Sequence, residues 1–161
     1  MDGQQWKQLT VTYNVREYKD SDYFDLLDMV ENFIKKELPE ELRTYDSKVV
    51  NNTIDSLKQN GKILMLVDDK DNLIGTLGCL FTQLLFSKKR IATEIAFWIN
   101  KEHRNQQASN LLITEYEKWA KENNCNLITL MSVDNDSKDK VDYLYKKHNY
   151  KPSEISYIKE L

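Results

Sequence analysis

The sequence predicts an α/β protein with a mixed central sheet of about six to seven strands and helices on both faces. Three observations lead there. Segments with strand periodicity and segments with helical periodicity follow one another in the order strand, two helices, three strands, helix, strand, helix, strand. The three middle strands are joined by short polar turns, as in antiparallel hairpins. The run Leu127 to Val133 is apolar enough for a strand inside a sheet.

Leu9 to Tyr18 alternates loosely and reads as the first strand. Asp20-Ser21 offers an N-cap, after which Tyr23, Leu26, Leu27, Val30, Phe33, Ile34 and Leu38 recur at helical spacing until Pro39. A second helix is expected from about Tyr45 to Leu57, ended by Asn60-Gly61. Ile63 to Val67 and Leu73 to Phe81 form a hairpin around Asp68–Asn72. Gly75 and Gly78 inside the return strand signal a bulge or a close backbone approach. Ile91 to Asn100 follows the basic turn Lys88-Lys89-Arg90 as a further antiparallel strand. The strongest helix is Gln107 to Asn123, with Ala108, Leu111, Leu112, Tyr116, Trp119 and Ala120 in one apolar stripe. A last helix from Lys138 to His148 and an edge strand from Ile155 to Lys159 complete the order.

The 161 residues fit one domain, residues 1–161, with 40% hydrophobic and 30% charged residues. Four glycines and two prolines leave no linker that would divide it. A net charge of −3 and a pI near 5.5 make nucleic acid a poor partner. The polar N-terminus and the lack of any membrane-length apolar run point to a cytoplasmic protein without a membrane partner. Cys79 and Cys125 are expected to be reduced thiols. With His103 and His148 they make no zinc spacing, so no metal site is expected.

Glu94-Ile95-Ala96-Phe97-Trp98-Ile99-Asn100-Lys101-Glu102-His103-Arg104, the helix stripe through Leu112, Ile113 and Tyr116 to Ala120, and Tyr143-Leu144-Tyr145-Lys146-Lys147-His148-Asn149-Tyr150 together carry a resemblance. They resemble, in order, the fourth strand and Arg/Gln-x-x-Gly-x-Gly/Ala loop, the following helix, and the Leu-Tyr-x-x-x-Gly-Phe/Tyr signature of the GNAT superfamily of N-acetyltransferases. The tail of the sequence is also similar to GNAT-like proteins of tailed phages. The resemblance implies a GNAT fold whose fourth and fifth strands splay apart, and acetyl-CoA (coenzyme A) as cofactor. Two of the family's loop glycines are replaced, by Gln107 and Ser109, and the Gly of Gly-Phe is Asn149. Asparagine tolerates the left-handed conformation, so the last change is mild. Gln107 adds bulk where phosphate would approach the backbone.

A loop entering a helix N-terminus offers free N–H groups and the positive dipole end to an anion. Asn105, Gln106, Gln107, Ala108 and Ser109 would form that cradle, with Arg104 adding charge; the plain alternative is an ordinary helix start with a surface arginine. By the resemblance, Trp98, Ile99 and Asn100 would offer backbone groups to the pantetheine arm, as in strand addition. Glu94 would be the general base, through water, and Tyr145 the acid that protonates the leaving thiolate. Glu94 could equally be a solvent-facing strand residue, and Tyr145 a core residue sharing its stripe with Val141 and Leu144.

The resulting expectation is an acetyl-CoA-dependent N-acetyltransferase acting on an amine of a small molecule or protein. A GNAT-fold binding or regulatory protein with weak catalysis is the alternative, favoured by the missing loop glycines. A toxin-like enzyme acting on charged tRNA fits the acidic charge poorly. An exposed C-terminal edge strand would permit a homodimer.

Overall fold

The computed structural model of the chain describes residues 11–161. At its centre every side chain of Ile63-Leu64-Met65-Leu66-Val67 is buried. Strand periodicity sends these alternately to two faces. Leu64 and Leu66 join one apolar cluster, while Ile63 and Met65 join another. The sheet therefore needs cover on both sides, and helices supply it.

The strands are β1 (Asn14–Glu17), β2 (Gly61–Val67), β3 (Leu73–Gln83), β4 (Arg90–Ile99) and β5 (Leu127–Thr129), side by side in that order. The first four pair antiparallel; β5 runs parallel to β4 and pairs over three positions only, Ile91 to Thr93 against Leu127 to Thr129. Helices α1 (Tyr23–Glu37) and α2 (Ser47–Asn60) cover the Ile63/Met65 face through Leu26, Ile54 and Leu57. Helix α3 (Gln106–Glu122) covers the other face with Ala108, Leu112, Tyr116, Trp119 and Ala120. Helix α4 (Lys138–Lys147) follows β5. No helix among the described residues is long and apolar enough to cross a membrane.

Local chemistry sets the ends of the elements. The carboxylate of Asp46 accepts the N–H groups of Lys48 and Val49, so α2 starts at Ser47 and not at Tyr45. The expected Asp20-Ser21 cap of α1 is instead a single 3-10 turn, Asp20–Asp22. The Asp22 carboxylate turns away from the helix to Arg16 and the Lys19 N–H. Asn105 caps α3 by accepting the Ala108 N–H. Asn124 leaves the same helix at φ 56°, and Asn149 adopts φ 65° after α4, the left-handed conformation expected of it.

The two glycines of β3 mark different things, Gly78 a register shift and Gly75 a close backbone approach. The β3–β4 register slips between Gly78 and Cys79, which face Ala96 and Glu94, so Ile95 is the extra residue of a bulge. A Cβ on Gly75 would lie 2.6 Å from the Trp98 carbonyl oxygen.

Two expectations need correction. The apolar run Leu127–Val133 forms a strand only to Thr129, at the sheet edge and not in its interior. The segment Ile155 to Lys159 is not a strand, and every residue from Lys151 to Leu161 is exposed. Strand-like alternation is not enough without a neighbour to pair with, and the three-residue β5 offers almost no ladder. The described sheet thus has five strands where six to seven were expected. Trp6 and the Leu9 end of the first strand lie outside the described residues.

Candidate active site

β4 is ten residues long and its parallel neighbour is three, so the two strands part company after Thr93. Three hydroxyl or carboxyl side chains hold the end of β5 and the chain just beyond it in place. The Tyr116 hydroxyl donates to the Thr129 carbonyl at 3.0 Å. The Met131 N–H donates to Glu94 Oε2 at 2.9 Å, and the Tyr145 hydroxyl donates to the Met131 carbonyl at 2.9 Å. Glu94 and Tyr145, which lie on different elements 51 positions apart in the chain, thus converge on one residue where the strands separate.

Glu94 is only 3% exposed. Burial pushes its carboxyl up to about 7, although the Met131 N–H works in the other direction. A strand residue facing solvent would show neither feature. Tyr145 is 9% exposed, and burial, reinforced by the negative potential of Glu94, raises its hydroxyl well above the usual phenol range. It therefore remains a proton donor at neutral pH.

The far end of β4 opens into a cleft of about 950 Å³ between the end of α1, the residues after β4 and the turn before α4. Trp98, Asn100 and Arg104 line it together with Glu37 and Asn135. Four cations, Lys36, Arg43, Lys101 and Arg104, face four carboxylates there. The Arg104 guanidinium lies 4.5 Å from the Trp98 ring centre. Its Nε donates to the Ile99 carbonyl at 2.7 Å and its Nη2 to Glu37 Oε1 at 2.9 Å. Asn135 donates to the other oxygen of Glu37 at 2.9 Å and to its carbonyl at 3.2 Å.

The three residues expected to offer backbone groups divide by direction. The Asn100 N–H bonds back to Ile74 at 2.9 Å, and the Trp98 carbonyl is turned to Gly75. Ile99 has its carbonyl on the opposite side, where Arg104 takes it. Period-two alternation puts Phe97 on that side too, where only Trp98, Ile99 and Asn100 were expected to take part.

The cradle residues also divide. Asn105 spends its side chain on the Ala108 N–H, and the Ser109 N–H and hydroxyl both bond to the Asn105 carbonyl. Ala108 is fully buried in the core. The N–H groups of Gln106 and Gln107 remain as first-turn donors without an intrahelical acceptor. Their exposed side chains line a second, shallower hollow of about 520 Å³ on α3.

Three features could serve the phosphate and pantetheine parts of coenzyme A: first-turn N–H groups at a helix start, a held guanidinium two residues earlier in the chain, and a strand edge that β5 does not pair beyond Thr93. Glu37 was missed because nothing local marks it, and Asn135 was given no role because its spacing to Tyr145 is longer than that of the resembled family. They come from elements 67 and 31 positions from Arg104 in the chain. Cys79 is buried, its thiol pushed up to about 12 by desolvation, which makes it an inert core residue.

The chain belongs to the acetyltransferase (GNAT) family, whose model matches residues 21–150. Among curated proteins none matches the sequence. The fold is similar to an acetyltransferase of Trypanosoma brucei, with a TM-score of 0.70 and 13% identity over 93% of this chain and 100% of the other. It is also similar to a ribosomal-protein-alanine N-acetyltransferase of Brucella melitensis, with a TM-score of 0.73 and 13% identity over 93% and 99% of the two chains. A transcriptional regulator of Bacillus halodurans shares the fold as well, with a TM-score of 0.73 and 17% identity over 93% and 100%.

Proposed function

We propose that this protein is an acetyl-CoA-dependent N-acetyltransferase, a single cytoplasmic domain that acts on an amine of a small molecule or protein. The observation that carries the reading is the buried Glu94, with its carboxyl pushed up to about 7, beside Tyr145 at the parting of β4 and β5. Acetyl-CoA would supply the activated acyl thioester. Arg104 and the first-turn N–H groups of Gln106 and Gln107 would hold its phosphates, and the edge of β4 at Phe97 and Ile99 its extended arm.

Only a neutral amine attacks a thioester, so an ammonium substrate must first lose a proton. A carboxylate poised near neutrality can take it and hold it at Glu94 Oε1, the oxygen not bonded to Met131, directly or through one water. The Tyr145 hydroxyl, kept protonated by burial, can deliver a proton to the departing thiolate. To do so it must exchange its bond to the Met131 carbonyl for one to sulfur.

A weakly catalytic binding or regulatory protein is the second reading. Its support is specific: Gln107 and Ser109 stand in glycine positions, Arg104 is paired with Glu37, and a transcriptional regulator shares the fold. Titration of acetyl-CoA and coenzyme A by calorimetry, followed by thiol release over a panel of amines, separates the two. Saturable binding and amine-dependent release lost in Glu94→Gln is the expected result. Binding without release from any amine would favour the regulatory reading.

A further inference from the structure

We infer that Glu37 is the positioning residue for Arg104 and so sets the affinity of the phosphate end of the cleft. This rests on the coenzyme A reading above. A guanidinium is planar, so fixing two of its nitrogens and its face fixes the third. Here Nε is held by the Ile99 carbonyl, Nη2 by Glu37, and the face by the Trp98 ring. Nη1 is the nitrogen that makes no hydrogen bond to the described protein, and it belongs to a side chain lining the cleft.

The placement of Glu37 needs a tertiary reason. It is the last residue of α1, where the helix dipole disfavours a carboxylate. Its side chain is only 18% exposed, so part of its hydration is lost as well. Both of its oxygens are engaged, one by Arg104 and one by Asn135. Asn135 also satisfies the Glu37 carbonyl, one of the acceptors that a helix end leaves open. Glu37 thus joins α1, the residues after β4 and the turn before α4 at one point, and it aims the cation that lies just ahead of α3. Without it the arginine keeps its charge but can swing, and a bound anion must then order it.

The test is coenzyme A affinity, read by calorimetry, in a double-mutant cycle of Glu37→Ala and Arg104→Met. Glu37→Ala should weaken binding roughly tenfold, a change of the size seen when one charge-assisted contact is lost. In the Arg104→Met background the same substitution should change affinity less than about twofold, since it has no cation left to aim. Glu37→Gln, nearly identical in shape, repeats the comparison should the alanine variant fail to fold. It can satisfy only one of its two donor neighbours and should also weaken binding. Equal losses with and without Arg104 would show a merely structural role and overturn the inference. Tighter or unchanged binding in Glu37→Ala would overturn it too, the former marking Glu37 as a competitor of the ligand. If the unaltered protein binds no coenzyme A, the cofactor reading fails together with this one, a result distinct from all the others.

Discussion

The base role proposed for Glu94 and the stability cost of its burial can both be measured. Burial raises its carboxyl from 4.5 to about 7. Only the carboxylate can accept a proton, so kcat/KM should climb with pH through about 7 and level off above it. Glu94→Gln should lower kcat by roughly 10²- to 10⁴-fold, the usual worth of a positioned base, and remove that limb of the profile. The stability effect has the opposite slope. A raised carboxyl favours protonation in the folded state, so its contribution is intact below the ordinary value of 4.5 and lost as pH rises through about 7. At about 1.4 kcal/mol per unit, the shift from 4.5 to about 7 amounts to roughly 3 kcal/mol. Urea melts should find Glu94→Gln more stable than the unaltered protein at pH 8 and equal to it near pH 4. Tyr145→Phe should behave differently, losing about 1 kcal/mol for the hydrogen bond to Met131 at any pH below the tyrosine's own titration. If kcat per folded enzyme is unchanged in Tyr145→Phe, the acid role is wrong.

At the scale of elements, the cleft depends on how closely β3 and β4 approach. Gly75→Ala would place a methyl 2.6 Å from the Trp98 carbonyl oxygen, which is backbone and cannot rotate away. The expected loss is about 1–3 kcal/mol, read as a lowered Tm, with Trp98 displaced from Arg104 and coenzyme A binding weakened in step. Gln107→Gly tests the missing glycine. It should strengthen coenzyme A binding if the side chain obstructs the first turn, at a helix cost of about 1 kcal/mol. Unchanged binding would remove the main reason to doubt the enzyme reading. Most of these elements were legible from local chemistry: apolar periodicity located α1 to α4 and β2 to β4 within a few residues, and the glycines announced the bulge and the contact. The terminal strand was misread because Ile155 and Tyr157 alternate as strand residues do, yet pairing depends on a neighbour the alternation does not reveal. The Glu37–Arg104–Asn135 contact left no trace in the sequence, since its members meet only once α1 and the turn before α4 have packed across the end of β4.

Across the whole molecule, two buried carboxyls of opposite character contribute to the dependence of stability on pH. Asp22, 5% exposed, accepts two hydrogen bonds from Arg16, whose guanidinium also reaches Asp71; this joins β1, the start of α1 and the β2–β3 turn. The Arg16 hydrogen bonds hold the Asp22 carboxyl below its ordinary 3.8, against the effect of burial. A lowered carboxyl contributes stability that is present above its unfolded value and lost as pH falls through its folded one. Asp22 therefore erodes the fold below about pH 4, and Glu94 erodes it between 4.5 and about 7. From these two groups the thermal midpoint should peak near pH 4 to 5, away from the pH above 7 at which Glu94 can act as a base. Such an offset is the usual relation between an active site and the fold that carries it. Arg16→Met strands a buried carboxylate and should cost about 3 kcal/mol near neutrality. That deficit should shrink as acid protonates Asp22. Glu94→Gln should instead flatten only the fall between pH 4.5 and 7. A Tm profile that Glu94→Gln leaves unchanged in shape would mean that the Glu94 carboxyl is not raised in the folded protein, and the pH argument for its role as base would fall with it.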